Sequence, residues 1–353
     1  MSLPLPLDFP PMEADTAKEI PRGAEWEYEP KWDGFRCLTF RDGEQVDLMS
    51  KSGQPLARYF PEITTALGEL KASKFILDGE LIVTQQRSLD FDALLQRIHP
   101  AASRIQKLSV ETPATLMLFD LLVDEKGENW TSRTFEERRC ELERFMESFA
   151  PSHARIRLSP RTRDFETAKT WFKRMAGPLD GVIAKRLDRP YSGSSNADRS
   201  DDTGQRRSML KIKNLRTADC VVGGFRYASK GDLVGSLLLG LYDDEGKLNH
   251  VGFTSGLSAK DKPALTKQLE ELIKPPGFTG SAPGGPSRWS TERSAQWKPL
   301  APKLVVEVQY DHFSGDRFRH GTKLLHWRPD KRPSECKLSQ VQKESQSPLT
   351  LLD

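Results

Sequence analysis

The apolar and polar positions of the 353-residue chain follow one pattern up to about Lys213 and another after it. From Trp26 to Lys213, short apolar runs with β propensity alternate with stretches in which apolar residues recur every three or four positions. After Lys213 the runs are separated by glycines and by a polar turn at 243–246, and one amphipathic stretch interrupts them. The first pattern predicts a mixed domain of strands and helices, and the second predicts a small β domain.

Four apolar runs and two amphipathic stretches define the first region. A helix is predicted from about Thr134, because Thr134 and Glu137 have the spacing of a capping box. A second helix is predicted from Asp164 to Met175, with Gly177 as its C-terminal cap. The apolar runs are predicted to be strands at residues 45–50, 75–84, 114–123 and 179–186.

The second region predicts about five strands and one helix, the latter from roughly Lys262 to Ile273. This set suits an all-β barrel of the oligonucleotide-binding (OB) type, whereas the first region suits an α+β domain of antiparallel sheets with flanking helices. Two stretches with few apolar residues, 191–208 and 275–289, are expected to be flexible. The expected divisions are an extended segment at 1–25, the α+β domain at 26–215, the OB domain at 216–335 and a tail at 336–353.

Composition narrows the class of protein. The chain is 37% hydrophobic and 29% charged, and none of its apolar runs approaches a membrane span, which indicates a globular cytoplasmic protein. From Arg216 onward there are 20 Lys and Arg against 16 Asp and Glu, so the second region is the better candidate for contact with a polyanion. The cysteines are too widely spaced for a zinc ribbon or a disulfide framework: they are Cys37, Cys140, Cys220 and Cys336.

The stretch EPKWDGFR, residues 29–36, places Lys31 and Asp33 two positions apart. Alternate residues of a strand share a face, so the ammonium and the carboxylate would point the same way. One interpretation is a solvated surface ion pair, which contributes almost nothing to stability. The other is a nucleophilic lysine, which must lose its proton before it attacks, a loss that Asp33 opposes. A reactive Lys31 would need further positive charge nearby.

Other charged residues lie in or beside apolar runs. Glu80 follows Asp78–Gly79, a pair that is also typical of a hairpin turn, and Phe119 in LFDLL could simply fill the core. Isolated charges are not stable in a core, but a bound nucleotide with a divalent metal ion balances both signs. The other charged residues in or beside apolar runs are Asp120, Asp180, Lys185, Lys211 and Lys213. The alternation of Lys211 and Lys213 would also fit an exposed strand edge.

The order of these motifs resembles that of the covalent nucleotidyltransferase superfamily, which comprises ATP-dependent DNA ligases, RNA ligases and mRNA capping enzymes. The resemblance runs from Trp26 to Lys331, and the small two-domain bacterial type known as DNA ligase C fits best. It implies a nucleotidyltransferase (adenylation) domain followed by an OB-fold domain. The motifs are KWDGFR (31–36), SKSG (50–53), LDGE (77–80), LFDLL (118–122), DGVIAK (180–185), LKIK (210–213) and HWRPDK (326–331).

The resemblance implies roles for individual residues. Lys31 would form a covalent lysyl-AMP with ATP, Phe119 would stack on adenine, and Glu80 and Asp180 would hold Mg²⁺ or Mn²⁺. The other implied catalytic residues are Asp33, which would orient Lys31, and Arg328, Asp330 and Lys331, which would orient the pyrophosphate leaving group. The other implied nucleotide-binding residues are Glu29, Arg36, Lys51, Lys211 and Lys213, and Glu80 would also reach the ribose.

Two residues depart from the family's pattern. Lys51 stands where arginine is common, so a two-point contact with phosphate would become a one-point contact. Asp180 stands where glutamate is usual, which shortens the reach to a metal ion by one methylene and leaves the choice between Mg²⁺ and Mn²⁺ open.

The sequence therefore predicts an ATP-dependent DNA ligase that seals nicks in duplex DNA, acts in bacterial DNA repair and is associated with the nucleoid. The expected partners are nicked or broken duplex DNA and, from the family, Ku-type or primase-polymerase repair proteins, with no membrane and a monomeric state. Two alternatives remain open. One is an RNA ligase or a capping-type enzyme with the same first domain, and the other is a non-catalytic nucleic-acid-binding relative. The preferred type of DNA break is not indicated.

Overall fold

The computed structural model describes residues 2–85, 88–174, 179–192, 208–284, 296–342 and 351. These residues form two compact units, and the chain passes from the first to the second between Asn214 and Leu215. The first unit combines strands and helices, and the second is built on one main sheet. In the described part of the chain, no helix is long and apolar enough to cross a membrane.

The first unit contains two sheets that are mainly antiparallel. Its strands are β1 (Asp15–Thr16), β2 (Trp26–Lys31), β3 (Phe35–Asp42), β4 (Gln45–Ser50), β5 (Lys74–Gln85), β6 (Ser88–Leu89), β7 (Ala114–Val123), β8 (Ile156–Leu158), β9 (Gly181–Arg186) and β10 (Met209–Lys213). The smaller sheet has the order β1-β10-β9-β2, and the larger has the order β4-β3-β5-β7-β8 with β6 beside β5. Parallel pairing is confined, among the strands described, to β1 with β10 and β7 with β8.

Helices cover both sheets of the first unit. They are α1 (Pro61–Glu69), α2 (Phe91–Gln96), α3 (Ala102–Glu111), α4 (Phe135–Phe149) and α5 (Phe165–Arg174). The predicted capping box of α4 is confirmed: Thr134 Oγ1 accepts the backbone N–H of Glu137, whose carboxylate accepts the backbone N–H of Thr134. Phe145 of α4 packs edge-on against Phe75 in the core. The predicted end of α5 at Met175 and its cap Gly177 lie outside the described residues.

The predicted strands are confirmed with small changes at their ends, because their apolar runs are buried between the sheets and the helices. The alternative of a hairpin turn at Asp78–Gly79 is wrong, since β5 continues through both residues. A Cβ atom on Gly79 would lie 2.7 Å from the carbonyl oxygen of Met117, so this glycine permits the close approach of β7.

The proline-rich segment before β2 is extended but does not simply cross the surface. Leu5 and Met12 are buried against β3, β5 and β7, together with Leu38 and Ile76. Because β1 then pairs with β10, this segment becomes part of the smaller sheet. Of the two stretches predicted to be flexible, residues 193–207 and 285–289 lie outside the described residues.

The second unit is built around one main sheet, in which the twelve-residue strand β11 pairs with three other strands. Its elements are β11 (Arg216–Tyr227), β12 (Val234–Tyr242), β13 (Leu248–Thr254), α6 (Lys262–Glu271), β14 (Lys298–Pro299), β15 (Val305–Tyr310), β16 (Phe313–Ser314), β17 (Arg317–Phe318) and β18 (Lys323–Trp327). The main sheet has the order β13-β12-β11-β15-β18, with β14 also on β11. In the described residues its outer strands meet only through the Thr254–Thr322 bridge, so this OB-like sheet is not a closed barrel.

Candidate active site

A cavity of about 330 Å³ opens in the first unit, where the two sheets meet. The smaller sheet supplies four lysines from β2, β9 and β10, and the larger sheet supplies side chains from β3, β5 and β7, among them Arg36. All eight residues predicted to bind the nucleotide line this one cavity: Glu29, Lys31, Arg36, Lys51, Glu80, Phe119, Lys211 and Lys213. The interpretation of Lys211 and Lys213 as a bare strand edge is therefore wrong, because both side chains face a concave site.

Asp180 immediately precedes β9 and contacts one lysine from each strand beside β9: Lys31 of β2 and Lys213 of β10. Its carboxylate forms an ion pair with Lys31 and lies 4.0 Å from Nζ of Lys213. Its backbone N–H also donates to the carbonyl oxygen of Lys31 at 3.0 Å. The pairing register explains this arrangement, since Gly181 lies directly opposite both Lys31 and Lys213. Asp180, which directly precedes Gly181, thus reaches both ammonium groups.

Gly181 is required for this arrangement. Its φ is +141°, a conformation that side chains disfavour, and a Cβ atom would lie 1.9 Å from the carbonyl oxygen of Ile212. The backbone of β9 therefore approaches β10 more closely here than any other residue would allow. In the sequence DGVIAK this glycine directly follows Asp180. Asp180 therefore lies immediately before β9, beside the point where β9 and β10 come closest.

Lys31 and Asp33 do not share a strand, and the prediction that they do is wrong. β2 ends at Lys31 and β3 begins at Phe35, so the residues between them connect the two sheets. Gly34 makes the connection possible, because a Cβ atom there would lie 2.1 Å from the carbonyl oxygen of Leu81. Asp33 lies near Glu80 instead. Burial raises the pKa of Glu80 to about 7, and the nearby carboxylates of Asp33 and Asp78 add to the effect while Arg36 and Lys31 oppose it.

Arg36 is held by a carboxylate that the sequence did not single out. Asp78 is fully buried and accepts two hydrogen bonds from the guanidinium, each at 2.6 Å. Tyr191 donates its hydroxyl proton to Asp78 at 2.6 Å and accepts the backbone N–H of Met12 at 2.9 Å. Burial and the adjacent Asp78 raise the pKa of Tyr191 well above its usual value, so the phenol remains a donor. The network ties Arg36 to the N-terminal segment.

Phe119 lies at a bulge in β7. Leu118 pairs with Gly79 and Asp120 pairs with Asp78, so Phe119 is the extra residue on its strand. Bulges often redirect a side chain beside an active site. The Phe119 ring lines the cavity, with the Arg36 guanidinium carbon 4.5 Å from its centroid. Simple core filling does not describe this residue, since its ring borders the cavity.

Lys185 is the main functional candidate that was left out of the predicted site. It is buried, and its Nζ lies 2.9 Å from the Glu29 carboxylate and donates to the carbonyl oxygen of Phe119 at 3.2 Å. Arg139 also reaches Glu29, at 3.4 Å. Burial nevertheless raises the pKa of Glu29, outweighing both cations. The available signal in the sequence was a lysine at the end of the apolar run DGVIAK.

The basic side chains create a positive region at the cavity mouth. The pKa of Lys211 is lowered, first by burial and then by the neighbouring charges of Lys51, Lys31 and Lys213. Lys51 is exposed and forms a 2.8 Å ion pair with Glu13 of the N-terminal segment. Ammonium groups that repel one another in this way form a suitable place for the phosphates of a nucleotide.

The predicted metal ligands are both carboxylates: Glu80 lines the cavity, and Asp180 pairs with Lys31 of the cavity lining. The raised pKa of Glu80 reflects burial beside other carboxylates, a setting in which added positive charge is favourable. Carboxylate oxygens are also the donors that Mg²⁺ takes together with substrate phosphates. Another group of carboxylates, Asp124, Glu125 and Glu141, lies elsewhere, and Arg144 pairs with the latter two.

The second unit brings together the three residues of its predicted motif. Arg328 follows β18, and its guanidinium makes two hydrogen bonds to Asp330, at 3.0 and 2.9 Å. Arg328 and Lys331 both contact Asp219 of β11, at 2.9 and 3.2 Å. Asp219 was not among the predicted site residues.

Comparison with known proteins places this geometry in a family. A family model described as ATP dependent DNA ligase domain matches residues 11–213, and one described as ATP dependent DNA ligase C terminal region matches residues 230–331. The chain is 40% identical to DNA ligase C2 of Mycolicibacterium smegmatis, over 97% of this chain and 96% of that protein. It is also 40% identical to DNA ligase C of Mycobacterium tuberculosis, over 99% of this chain and 97% of that protein.

The fold agrees with these matches. A solved structure from a structure-function study of Lig E DNA ligases superimposes with a TM-score of 0.51 at 16% identity, covering 90% of this chain and 100% of that one. The first unit is thus a nucleotidyltransferase domain and the second is the OB-like domain that the sequence predicted. With two family models matched in order and relatives aligned along nearly their whole length, the chain belongs to the ATP-dependent DNA ligase family.

Proposed function

We propose that this DNA ligase seals nicks in duplex DNA by three phosphoryl transfers and that Lys31 carries the AMP between them. The observation that carries the proposal is the position of Lys31 in the cavity, paired with Asp180 and beside Lys213 and Lys211. A nucleophilic amine, a carboxylate that fixes it and cations for phosphate are the groups that such a transfer requires.

The first transfer attaches AMP to the enzyme. Nζ of Lys31 attacks the α-phosphorus of ATP, an N–P bond forms, and the bond from that phosphorus to the β-phosphate oxygen breaks so that pyrophosphate leaves. Before the attack, the Lys31 ammonium gives up a proton to water, because only the free amine is a nucleophile. Lys211 and Lys213 neutralise charge on the α-phosphate during this transfer. Lys213 contacts the same carboxylate oxygen as Lys31, so Asp180 retains an ammonium partner when Lys31 becomes the attacking amine.

The next two transfers pass AMP to DNA and release it. An oxygen of the 5′-phosphate at the nick attacks the AMP phosphorus, and the N–P bond breaks to restore Lys31. The 3′-hydroxyl then attacks the activated 5′-phosphorus, a phosphodiester forms, and AMP leaves. Arg36, held by Asp78 and facing the cavity, is placed to bind the nucleotide or the 5′-phosphate.

The rest of the cavity holds the nucleoside. Phe119 offers a ring on which adenine can stack, and Glu29 lies beside Lys185 on the adjoining strands. Glu80 and Asp180 would hold Mg²⁺ or Mn²⁺, which supplies charge neutralisation at the phosphates when bound. In the second unit, Arg328, Asp330 and Lys331 act on the pyrophosphate leaving group during the first transfer, as the family resemblance implies.

The decisive test is covalent labelling with ATP that carries the label on its α-phosphate. The wild-type protein should become labelled, Lys31→Ala and Lys31→Arg should not, and the label should pass to DNA when a nicked duplex is added. Lys107→Ala is a suitable control, because Lys107 is exposed on α3 and away from the cavity. Labelling of Lys31→Ala at the wild-type rate would show that the nucleophile is assigned wrongly.

The same assay separates the alternatives. Labelling from GTP rather than ATP would indicate a capping-type enzyme, and transfer to RNA ends rather than nicked DNA would indicate an RNA ligase. A protein that binds nicked duplex without any AMP adduct would be the non-catalytic relative.

We also propose a role in repair of broken chromosomal DNA, supported by the likeness to bacterial DNA ligases C. Ku-type and primase-polymerase proteins are the partners that this role suggests. The measurement is sealing of a nick, a one-nucleotide gap and a cohesive double-strand end by the same preparation, with and without such a partner. A partner that leaves all three rates unchanged would speak against the interaction.

A further inference from the structure

Asp219 of β11 is the shared partner of the two motif cations in the second unit. Its Oδ1 accepts a hydrogen bond from Nη1 of Arg328 at 2.9 Å, and its Oδ2 lies 3.2 Å from Nζ of Lys331. Each carboxylate oxygen therefore holds a different cation. Side chains as long as arginine and lysine lose considerable rotamer freedom when they are fixed, so a common anchor is needed to keep both head groups together.

Asp219 itself is buried and hydrogen-bonded through its backbone. Asp219 is buried, with 8% of its surface exposed, and lies within the twelve-residue strand β11. Gln340 brackets its backbone, accepting the N–H of Asp219 at 3.1 Å and donating to its carbonyl oxygen at 3.2 Å. The side chains of Arg328 and Lys331 are 27% and 33% exposed. Each cationic head group thus contacts Asp219 and is still exposed enough to donate hydrogen bonds to a ligand.

Asp219 faces a second carboxylate across the sheet. Asp219 lies directly opposite Glu307 of the neighbouring strand β15, and like charges in directly opposed positions destabilise an antiparallel pair. Arg328 relieves the repulsion by contacting both carboxylates, at 2.9 and 3.8 Å. The two opposed carboxylates therefore depend on the Arg328 cation to offset their repulsion.

We propose that Asp219 is a positioning residue for the first phosphoryl transfer, holding Arg328 and Lys331 side by side for the pyrophosphate leaving group. The inference rests on the function proposed above for Arg328 and Lys331. Asp219 does not touch the substrate. It fixes the separation of two cations, as a preorganised site for a phosphate group requires.

The test compares two steps of the reaction in the full-length protein with Asp219→Asn. Asparagine keeps the backbone bonds to Gln340 and can accept one hydrogen bond, but it cannot hold both cations. Lysyl-AMP formation from labelled ATP, measured in a single turnover, should fall about 10- to 100-fold, mainly in the maximal rate. Sealing of a nick whose 5′-phosphate already carries AMP involves no pyrophosphate and should remain within about twofold of wild type.

Glu307→Gln is the matched control, because it removes the facing carboxylate, which reaches Arg328 only at 3.8 Å and does not contact Lys331 in the described structure. Its rate of lysyl-AMP formation should change less than about fivefold. An equal loss in both steps for Asp219→Asn would indicate a merely structural role and overturn the inference, as would an unchanged or faster first step. A wild-type protein that does not label on Lys31 would instead overturn the proposed function.

Discussion

Lys31 pairs with the carboxylate of Asp180, although Glu29 and Asp33 are the carboxylates nearest to it in the sequence. The backbone N–H of Asp180 donates to the carbonyl oxygen of Lys31 at 3.0 Å, so the two residues are joined through both main chain and side chain. The short aspartate side chain reaches the lysine because the start of β9 already lies against it.

Asp180→Asn tests this relationship. It keeps the backbone hydrogen bond and removes the charge, so lysyl-AMP formation should fall about 100-fold or more as Lys31 and the bound cation lose their shared carboxylate. Asp180→Glu keeps the charge and should lose less, with a changed ratio of rates in Mg²⁺ and Mn²⁺. Single-turnover labelling with each metal ion measures both effects. Asp33→Asn is the comparison, and a greater loss there than in Asp180→Asn would reverse the two assignments.

Tyr191→Phe tests the network that holds Arg36. The substitution removes a donor from the buried Asp78 and an acceptor from the N–H of Met12, which should lower the free energy of unfolding by about 1–3 kcal/mol. Arg36 and the N-terminal segment should also become less ordered, so the KM for ATP in lysyl-AMP formation should rise. Tyr227→Phe, which removes an exposed bond to Glu270 in the second unit, is the control and should change neither quantity. An unaltered KM in Tyr191→Phe would mean that Asp78 alone fixes Arg36.

Gly181→Ala tests the close approach of β9 to β10. The new methyl group would lie 1.9 Å from the carbonyl oxygen of Ile212 at a φ that alanine disfavours, so the free energy of unfolding should fall by about 2–4 kcal/mol. Gly68→Ala in α1 is the matched control, because a Cβ atom there meets nothing within 4 Å and alanine favours the helix by about 0.5–1 kcal/mol. Urea unfolding of both variants gives the comparison. A Gly181→Ala variant as stable as wild type would show that the strands can separate here without cost.

Part of the fold and eight of the residues that line the cavity could be predicted from sequence, but α1, α2 and α3 and the pairing among the site residues could not. Apolar periodicity indicates strands and helices because burial selects it, which is why β4 and β7 agree residue for residue with their predictions. The partner of Lys31 depends on the register of β2 with β9, which local sequence does not encode. The same holds for Asp78 with Tyr191 and for Asp219 with Lys331, contacts between residues distant in the chain. The hairpin turn considered at Gly79 was wrong for a related reason. In the sequence, a glycine that allows a neighbouring strand to approach closely cannot be distinguished from one that makes a turn.

Lys185 was named among the charged residues of the apolar runs but was assigned no role in the predicted site, and its role can be tested separately from its effect on stability. It is buried between the Phe119 and Phe135 rings, each centroid 4.6 Å from Nζ, and it pairs with Glu29. Lys185→Met leaves Glu29 buried with Arg139 alone, so the free energy of unfolding should fall by about 3–5 kcal/mol. The double variant Lys185→Met with Glu29→Gln removes both charges and should recover most of that stability.

If Lys185 and Glu29 also bind the nucleoside, the double variant should remain impaired in catalysis after its stability returns. Its KM for ATP in lysyl-AMP formation should stay at least about tenfold above wild type, since one lost charge-assisted contact has about that effect. Urea unfolding and single-turnover labelling on the same preparations separate the two effects. A double variant that regains both stability and the wild-type KM would mean that the pair serves only to fill and balance the core.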